Sequence, residues 1–124
     1  MNHKEKRRHV RVETSNLIAH ELIDEDGQVV SRSMGRALNV SRSGILLETP
    51  APIYAESVSL MTVDLDNNLI EIRGKIIYCR ETDSGTYQAG ISFIGNEEET
   101  AKFAVKLIKL YHNRKHKLVI KIAA

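Results

Sequence analysis

Two short stretches carry the side chains best suited to binding chemistry. Lys6-Arg7-Arg8-His9-Val10-Arg11 packs four cations into six residues, ahead of any apolar pattern. Arg7 and Arg11, four apart, offer two guanidinium forks. Each fork can grip a phosphate, or the O6 and N7 acceptors of guanine, in a bidentate way, and its flat face can stack on a base. A lysine supplies the charge without the fork. The second stretch is Asn39-Val40-Ser41-Arg42-Ser43-Gly44. Asn39 brings a two-sided amide, Ser41 a hydroxyl, and Gly44 room for a turn with exposed backbone N–H groups, a set that suits a purine edge or a phosphate. Each stretch alone also has a plain reading: a solvated basic tail for the first, turn chemistry only for the second.

Other chemistries find little support. The chain has no Gly-x-Gly-x-x-Gly or Walker-type phosphate loop. His112 and His116 can share a helix face, but without an acid or cysteine nearby they read as exposed helix-end residues rather than metal ligands. Asp64 and Asp66 read as a solvated turn. Cys79 is the single cysteine, which excludes an intrachain disulfide and a cysteine-based zinc site. Set inside an apolar strand, it reads as a small core residue. Nothing here argues for an enzyme, a cofactor or a metal.

The elements that must position the two stretches are mostly strands. Apolar and polar residues alternate, imperfectly, from Val12 to Ile23, and Asp24-Glu25-Asp26-Gly27 signals a turn. Residues 28–32 read as either a short strand or a loop. Met34 to Val40 is a strand, and the Asn-x-Ser-x-x-Gly run then makes a tight turn into a strand from Ile45. The expectation for Gly44 is a backbone conformation that other residues disfavour. Further strands run over Val58–Asp64, Leu69–Cys79 and Tyr87–Ile94, with a hairpin turn at Asp66-Asn67-Asn68. Gly90, inside the last strand, suggests a bulge or a close backbone approach. The period then changes. Asn96 caps a helix with Glu99 three residues on, and Phe103, Leu107, Leu110 and Tyr111 mark its apolar stripe, widened by Ala104 and Ile108. Residues 117–122 are apolar-rich and fit either more helix or another strand. Six strands followed by one helix predict an all-β fold, a small antiparallel barrel closed by a C-terminal helix.

Composition sets the frame. A chain of 124 residues, 42% hydrophobic and 27% charged, is one domain able to bury its own core. No apolar run approaches bilayer length, and the polar, basic start is unlike a secretory signal, so a cytoplasmic location is expected. The formal net charge of +2 hides two basic ends, residues 1–11 and 100–124, flanking an acidic body. Residues 1–11 lack a periodic apolar pattern and are expected to be flexible without a partner.

The two stretches in this order resemble the PilZ domain family, bacterial receptors for the second messenger cyclic diguanylate (c-di-GMP). The family pattern is Arg-x-x-x-Arg in an N-terminal loop, then (Asp/Asn)-x-Ser-x-x-Gly about one strand pair later. Here these read Arg7-Arg8-His9-Val10-Arg11 and Asn39-Val40-Ser41-Arg42-Ser43-Gly44. Gly74-Lys75-Ile76-Ile77-Tyr78 and Gly90-Ile91-Ser92-Phe93 extend the resemblance over nearly the whole chain. It implies a six-stranded antiparallel PilZ-like barrel with a C-terminal helix. It also implies residues 1–11 as a ligand-binding segment, residues 12–116 as barrel plus helix, and residues 117–124 as a tail. Arg7 and Arg11 would bind phosphate and guanine, Asn39 and Ser41 would meet the second face of the ligand, and Gly44 would hold the turn. Arg8 either assists with phosphate or faces solvent. Lys6 stands where an Arg is common, at a position that affects whether one ligand or an intercalated pair binds, and a basic residue there leans toward the pair. Tyr78 stands where some relatives have a Trp near the ligand, leaving ligand contact and packing as alternatives.

The implied function is a non-enzymatic c-di-GMP receptor, with no cofactor, that relays its signal to an unidentified downstream effector protein by ordering residues 1–11. A PilZ-like adaptor that works by protein contact without the ligand is the alternative, and the basic helix leaves room for a protein partner or a homodimer. A nucleic-acid-binding barrel is disfavoured by the shortage of aromatics, six Phe and Tyr with no Trp.

Overall fold

Six antiparallel strands close on themselves in the order β1-β2-β3-β6-β5-β4. They are β1 (Val12–Ile23), β2 (Val29–Val40), β3 (Gly44–Thr49), β4 (Ser57–Val63), β5 (Leu69–Glu81) and β6 (Tyr87–Ile94), followed by helix α1 (Glu97–Ala123). The structure is a computed structural model that describes residues 10–123, with side chains to residue 113. The expected all-β barrel with a C-terminal helix is therefore what the chain forms. Closure removes the free sheet edges that would otherwise template pairing with another chain.

Two hairpins share one local design. Asp24 Oδ1 accepts from the backbone N–H of Asp26 and Gln28, each at 2.9 Å. Asp64 Oδ1 does the same with Asp66 and Asn68. In each turn one residue takes a positive φ, Gly27 at 80° and Asn67 at 64°. These are the residue types that tolerate it best. The first turn carries the chain directly into β2, where Ser31 pairs with Leu22 and Val29 with Ile23. Most of residues 28–32, open between strand and loop in the sequence, are thus strand.

Ile18, Ala37, Val40, Ile45, Leu47, Val58, Leu60, Ala89 and Ile91 fill the barrel. Helix α1 covers it with Phe103, Ala104 and Leu107, and the ring of Phe103 meets that of Phe93 edge-on at 5.5 Å. Full burial of a Phe or Leu side chain contributes roughly 1.5–3 kcal/mol, so these contacts dominate helix docking. The helix starts on a reciprocal cap: Glu99 N–H donates to Asn96 Oδ1 at 2.8 Å, and Asn96 Nδ2 donates to Glu99 Oε1 at 3.0 Å. Glu97, Glu98 and Glu99 complement the dipole of the first turn. The backbone remains helical to Ala123, which places residues 117–123 in the helix rather than in a strand.

The imperfect alternation of β1 has a physical reason. Its buried row is Thr14, Asn16, Ile18 and His20, three of them polar. Thr14 Oγ1 donates to the Ala37 carbonyl, and Asn16 Nδ2 donates to the Leu107 carbonyl at 2.7 Å. That second bond ties the middle of α1 to the barrel wall. Asn16 Oδ1 and His20 Nδ1 are buried without a protein partner.

Candidate functional site

Asn39 lies near the end of β2, on the outer wall, and pairs with Glu13 of β1. Arg11, just ahead of β1, reaches across to it: Arg11 Nη1 donates to Asn39 Oδ1 at 2.7 Å. A guanidinium has only donors, so it must face the amide oxygen, which turns the two N–H donors of the amide away from it. The arginine of the first stretch and the asparagine of the second, 28 residues apart, are thus one constellation. Of the remaining predicted residues in the first stretch, Lys6, Arg7 and Arg8 lie outside the described residues. So does most of the expected flexible segment.

The turn between β2 and β3 is built by Ser41. Its N–H donates to the Gly44 carbonyl at 2.8 Å, and its hydroxyl oxygen accepts from the N–H groups of Ser43 and Gly44 at 3.2 Å each. The residue is 4% exposed. Its side chain is engaged in shaping the turn and lies beneath the surface, while Arg42 and Ser43 are exposed. The turn is also tied to β6, because Phe93 N–H donates to the Ser43 carbonyl at 2.9 Å.

Gly44 differs from its expectation. Its φ is not among the positive ones, which belong to Gly27, Gly85, Gly95 and Asn67. What demands glycine is space: a Cβ on Gly44 would stand 2.4 Å from the carbonyl oxygen of Ile91. The requirement comes from the neighbouring strand, where sequence reasoning placed it in the backbone conformation of Gly44 itself.

Strand register extends the site across the wall. Asn39 pairs with Leu46 on β3, Leu46 with Gly90 on β6, and Gly90 with Tyr78 on β5. Paired residues share a face, so these four form one outward row. Gly90 has no side chain to contribute, and Tyr78 fills the gap: a Cβ on Gly90 would meet the Tyr78 ring at 2.2 Å. The close approach expected at Gly90 is therefore made by a side chain. Tyr78 is packed on the wall yet 47% exposed, so its ring combines packing with an accessible face. Leu46, half-buried between Asn39 and Gly90, is a floor residue that the sequence does not single out. Only the pairing of β3 with β6 reveals it, and that pairing has no local signal. Cys79 turns inward against the core.

The row thus offers a guanidinium, an amide with free donors, an apolar floor and an aromatic face on one open wall. Such a surface can hold a planar, anionic ligand by hydrogen bonds, charge and stacking. It contains no nucleophile–base pair. Among the described residues no group of histidines, cysteines and acids is placed to hold a metal, and no helix is long and apolar enough to cross a membrane.

Comparison with known proteins gives a family and a set of folds. The family model of the PilZ domain matches residues 5–110. No curated protein matches the chain in sequence. Among solved structures, the PilZ domain with c-di-GMP of YcgR from Escherichia coli superposes with a TM-score of 0.60 at 12% identity, covering 94% of this chain and 98% of that one. The K. pneumonia MrkH–c-di-GMP complex gives a TM-score of 0.59 at 17% identity, covering 88% of this chain and 55% of that one. The Bacillus subtilis inhibitor of motility, MotI/DgrA, gives 0.57 at 15% identity, covering 90% and 52%. The chain spans about half the length of the MotI and MrkH chains. At these identities the structural likeness is one of fold.

Proposed function

Because the chain belongs to the PilZ domain family, we propose that it is a non-enzymatic receptor for c-di-GMP that relays ligand binding to a partner protein. The observation that carries this reading is the bond from Arg11 to Asn39, which joins the two stretches on one wall beside an ordered turn. Arg11 and Arg7 grip phosphate and guanine with their forks. Asn39 turns its amide donors to the acceptor edge of a guanine, Gly44 and Ser41 hold the turn that borders the ligand, and Tyr78 offers a face for stacking. Arg8 adds charge, and Lys6 favours an intercalated pair over a single ligand. Residues 1–11 order as they close over the ligand, and the altered surface is what an effector protein reads. Such a messenger places the protein in the bacterial cytoplasm. The solved c-di-GMP complexes of YcgR and MrkH, which share the fold, support the choice of ligand.

Calorimetry with c-di-GMP tests the reading. The wild-type chain is expected to bind, and Arg7→Ala and Arg11→Ala each to weaken binding by about 30- to 1,000-fold, as for a contact worth roughly 2–4 kcal/mol. Absence of wild-type binding at high micromolar ligand would replace the receptor with an adaptor that acts by protein contact alone. Near-wild-type affinity in both variants would remove the site assignment.

A further inference from the structure

The motif turn continues across the wall into groups that neither stretch includes. Gly44 pairs with Ser92 on β6, and Ser92 pairs with Lys75 on β5. Turn, hydroxyl and ammonium thus stand in one row, next to the row that ends in Tyr78. Ser92 and Lys75 are both exposed. Neither has an ion-pair or side-chain hydrogen-bond partner among the described residues.

A defect in the sheet brings Lys75 and Tyr78 together. They are three residues apart, and in a regular strand residues three apart point to opposite faces. The register of β5 against β6 shifts between Ile76 and Tyr78, leaving Ile77 as an extra residue. Lys75 pairs with Ser92 before the bulge and Tyr78 with Gly90 after it, and both side chains lie outside while Ile76 and Cys79 turn to the core. Bulges re-aim side chains in this way. Here the result is a cation beside an aromatic face, on the opposite flank of the wall from Arg11.

We propose that Lys75 and Ser92 form a second anion subsite, which takes a phosphate of the ligand on the side away from Arg11. The inference rests on the c-di-GMP reading above and adds residues to it. Strands in a sheet lie about 4.8 Å apart, so Asn39 on β2 and Tyr78 on β5 are separated by roughly 14 Å. The two phosphates of a cyclic dinucleotide lie on opposite sides of one small ring, so charges converging on it from the two flanks of this wall can meet one each. Lys75 provides the second charge on a long stem, and Ser92 provides a hydroxyl donor beside it. The other cations on this face of β5 fit less well. Arg80 donates to Gln88 Oε1, and Arg73 stands opposite Ile94, beyond Lys75 from the Tyr78 ring.

Calorimetric titration of the full chain with c-di-GMP tests the subsite. Lys75→Ala is expected to weaken binding about 5- to 20-fold, a charge-assisted contact discounted for exposure. Ser92→Ala should weaken it less, and Lys75→Glu more. Arg32→Ala, at the far hairpin end of β2 beside Glu21, should stay within about twofold of wild type, and ligand-free melting of Lys75→Ala should be unchanged. An affinity for Lys75→Ala within about twofold of wild type would overturn the subsite. So would an equal loss in Arg32→Ala, because the effect would then be a diffuse field. If the wild-type chain does not bind at all, the receptor reading fails and the subsite with it. Wild-type binding with an unaffected Lys75→Ala removes the subsite alone.

Discussion

Gly44→Ala isolates the reason for a glycine in the motif turn. A Cβ at this position would lie 2.4 Å from the Ile91 carbonyl oxygen and 3.5 Å from the carbonyl carbon. The obstruction is backbone of a central strand, so no rotamer change relieves it. Strands β3 and β6 must part by about 1 Å beside the Gly44–Ser92 and Ile45–Ile91 pairs. Overpacking of this kind costs about 1–3 kcal/mol, and weakening one ladder hydrogen bond adds about 1 kcal/mol. Reduced freedom of the unfolded chain offsets about 0.4–1 kcal/mol of that. The net expectation is a loss of about 2–3 kcal/mol, on the order of 10 °C in Tm for a domain of this size. Gly27 is the control, since its φ is 80° and nothing lies within 4 Å of a Cβ built there. Gly27→Ala therefore costs only the left-handed strain of a non-glycine residue, about 1 kcal/mol. Urea denaturation followed by circular dichroism measures both. If Gly44→Ala proves no more costly than Gly27→Ala, the steric account is wrong.

Two further outcomes concern the polar row beneath the helix. Asn16→Ala removes the bond to the Leu107 carbonyl and should cost about 1–2 kcal/mol in urea denaturation. Amide exchange should quicken along the described part of α1, and unchanged exchange there would deny Asn16 its part in docking the helix. Burial of His20 lowers its affinity for a proton below the ordinary 6.5. As pH falls below 6.5 the unfolded chain takes up a proton that the folded chain refuses, so stability is full above that pH and declines until the lowered folded value is reached. His20→Gln should flatten this limb in urea midpoints measured from pH 7.5 down to about pH 5. An unaltered slope would assign the limb to other groups.

Much of this protein is written locally. The strand periods, the Asp-Gly and Asp-Asn-Asn turns, the Asn96–Glu99 cap and the stripe on α1 depend on residues close in sequence. Their physics, side-chain alternation, positive φ and orphan N–H groups, acts over a few residues. Arg11, Asn39 and Gly44 were also legible by type and spacing, as was the family to which they belong. What needed the tertiary structure is what depends on pairing between distant strands. The contact of Arg11 with Asn39 follows from β1 lying next to β2, and the Leu46 floor, the Tyr78 ring over Gly90 and the bulge that sets Lys75 beside it follow from β3 lying next to β6 and β6 next to β5. The polar row of β1 blurred the alternation there because its partners are distant in sequence: the Ala37 carbonyl on β2 for Thr14, and for Asn16 a helix some 90 residues away. Gly44 shows the division most sharply. Its identity is a local fact, but its necessity is set by the carbonyl of Ile91, which only a folded barrel brings within reach.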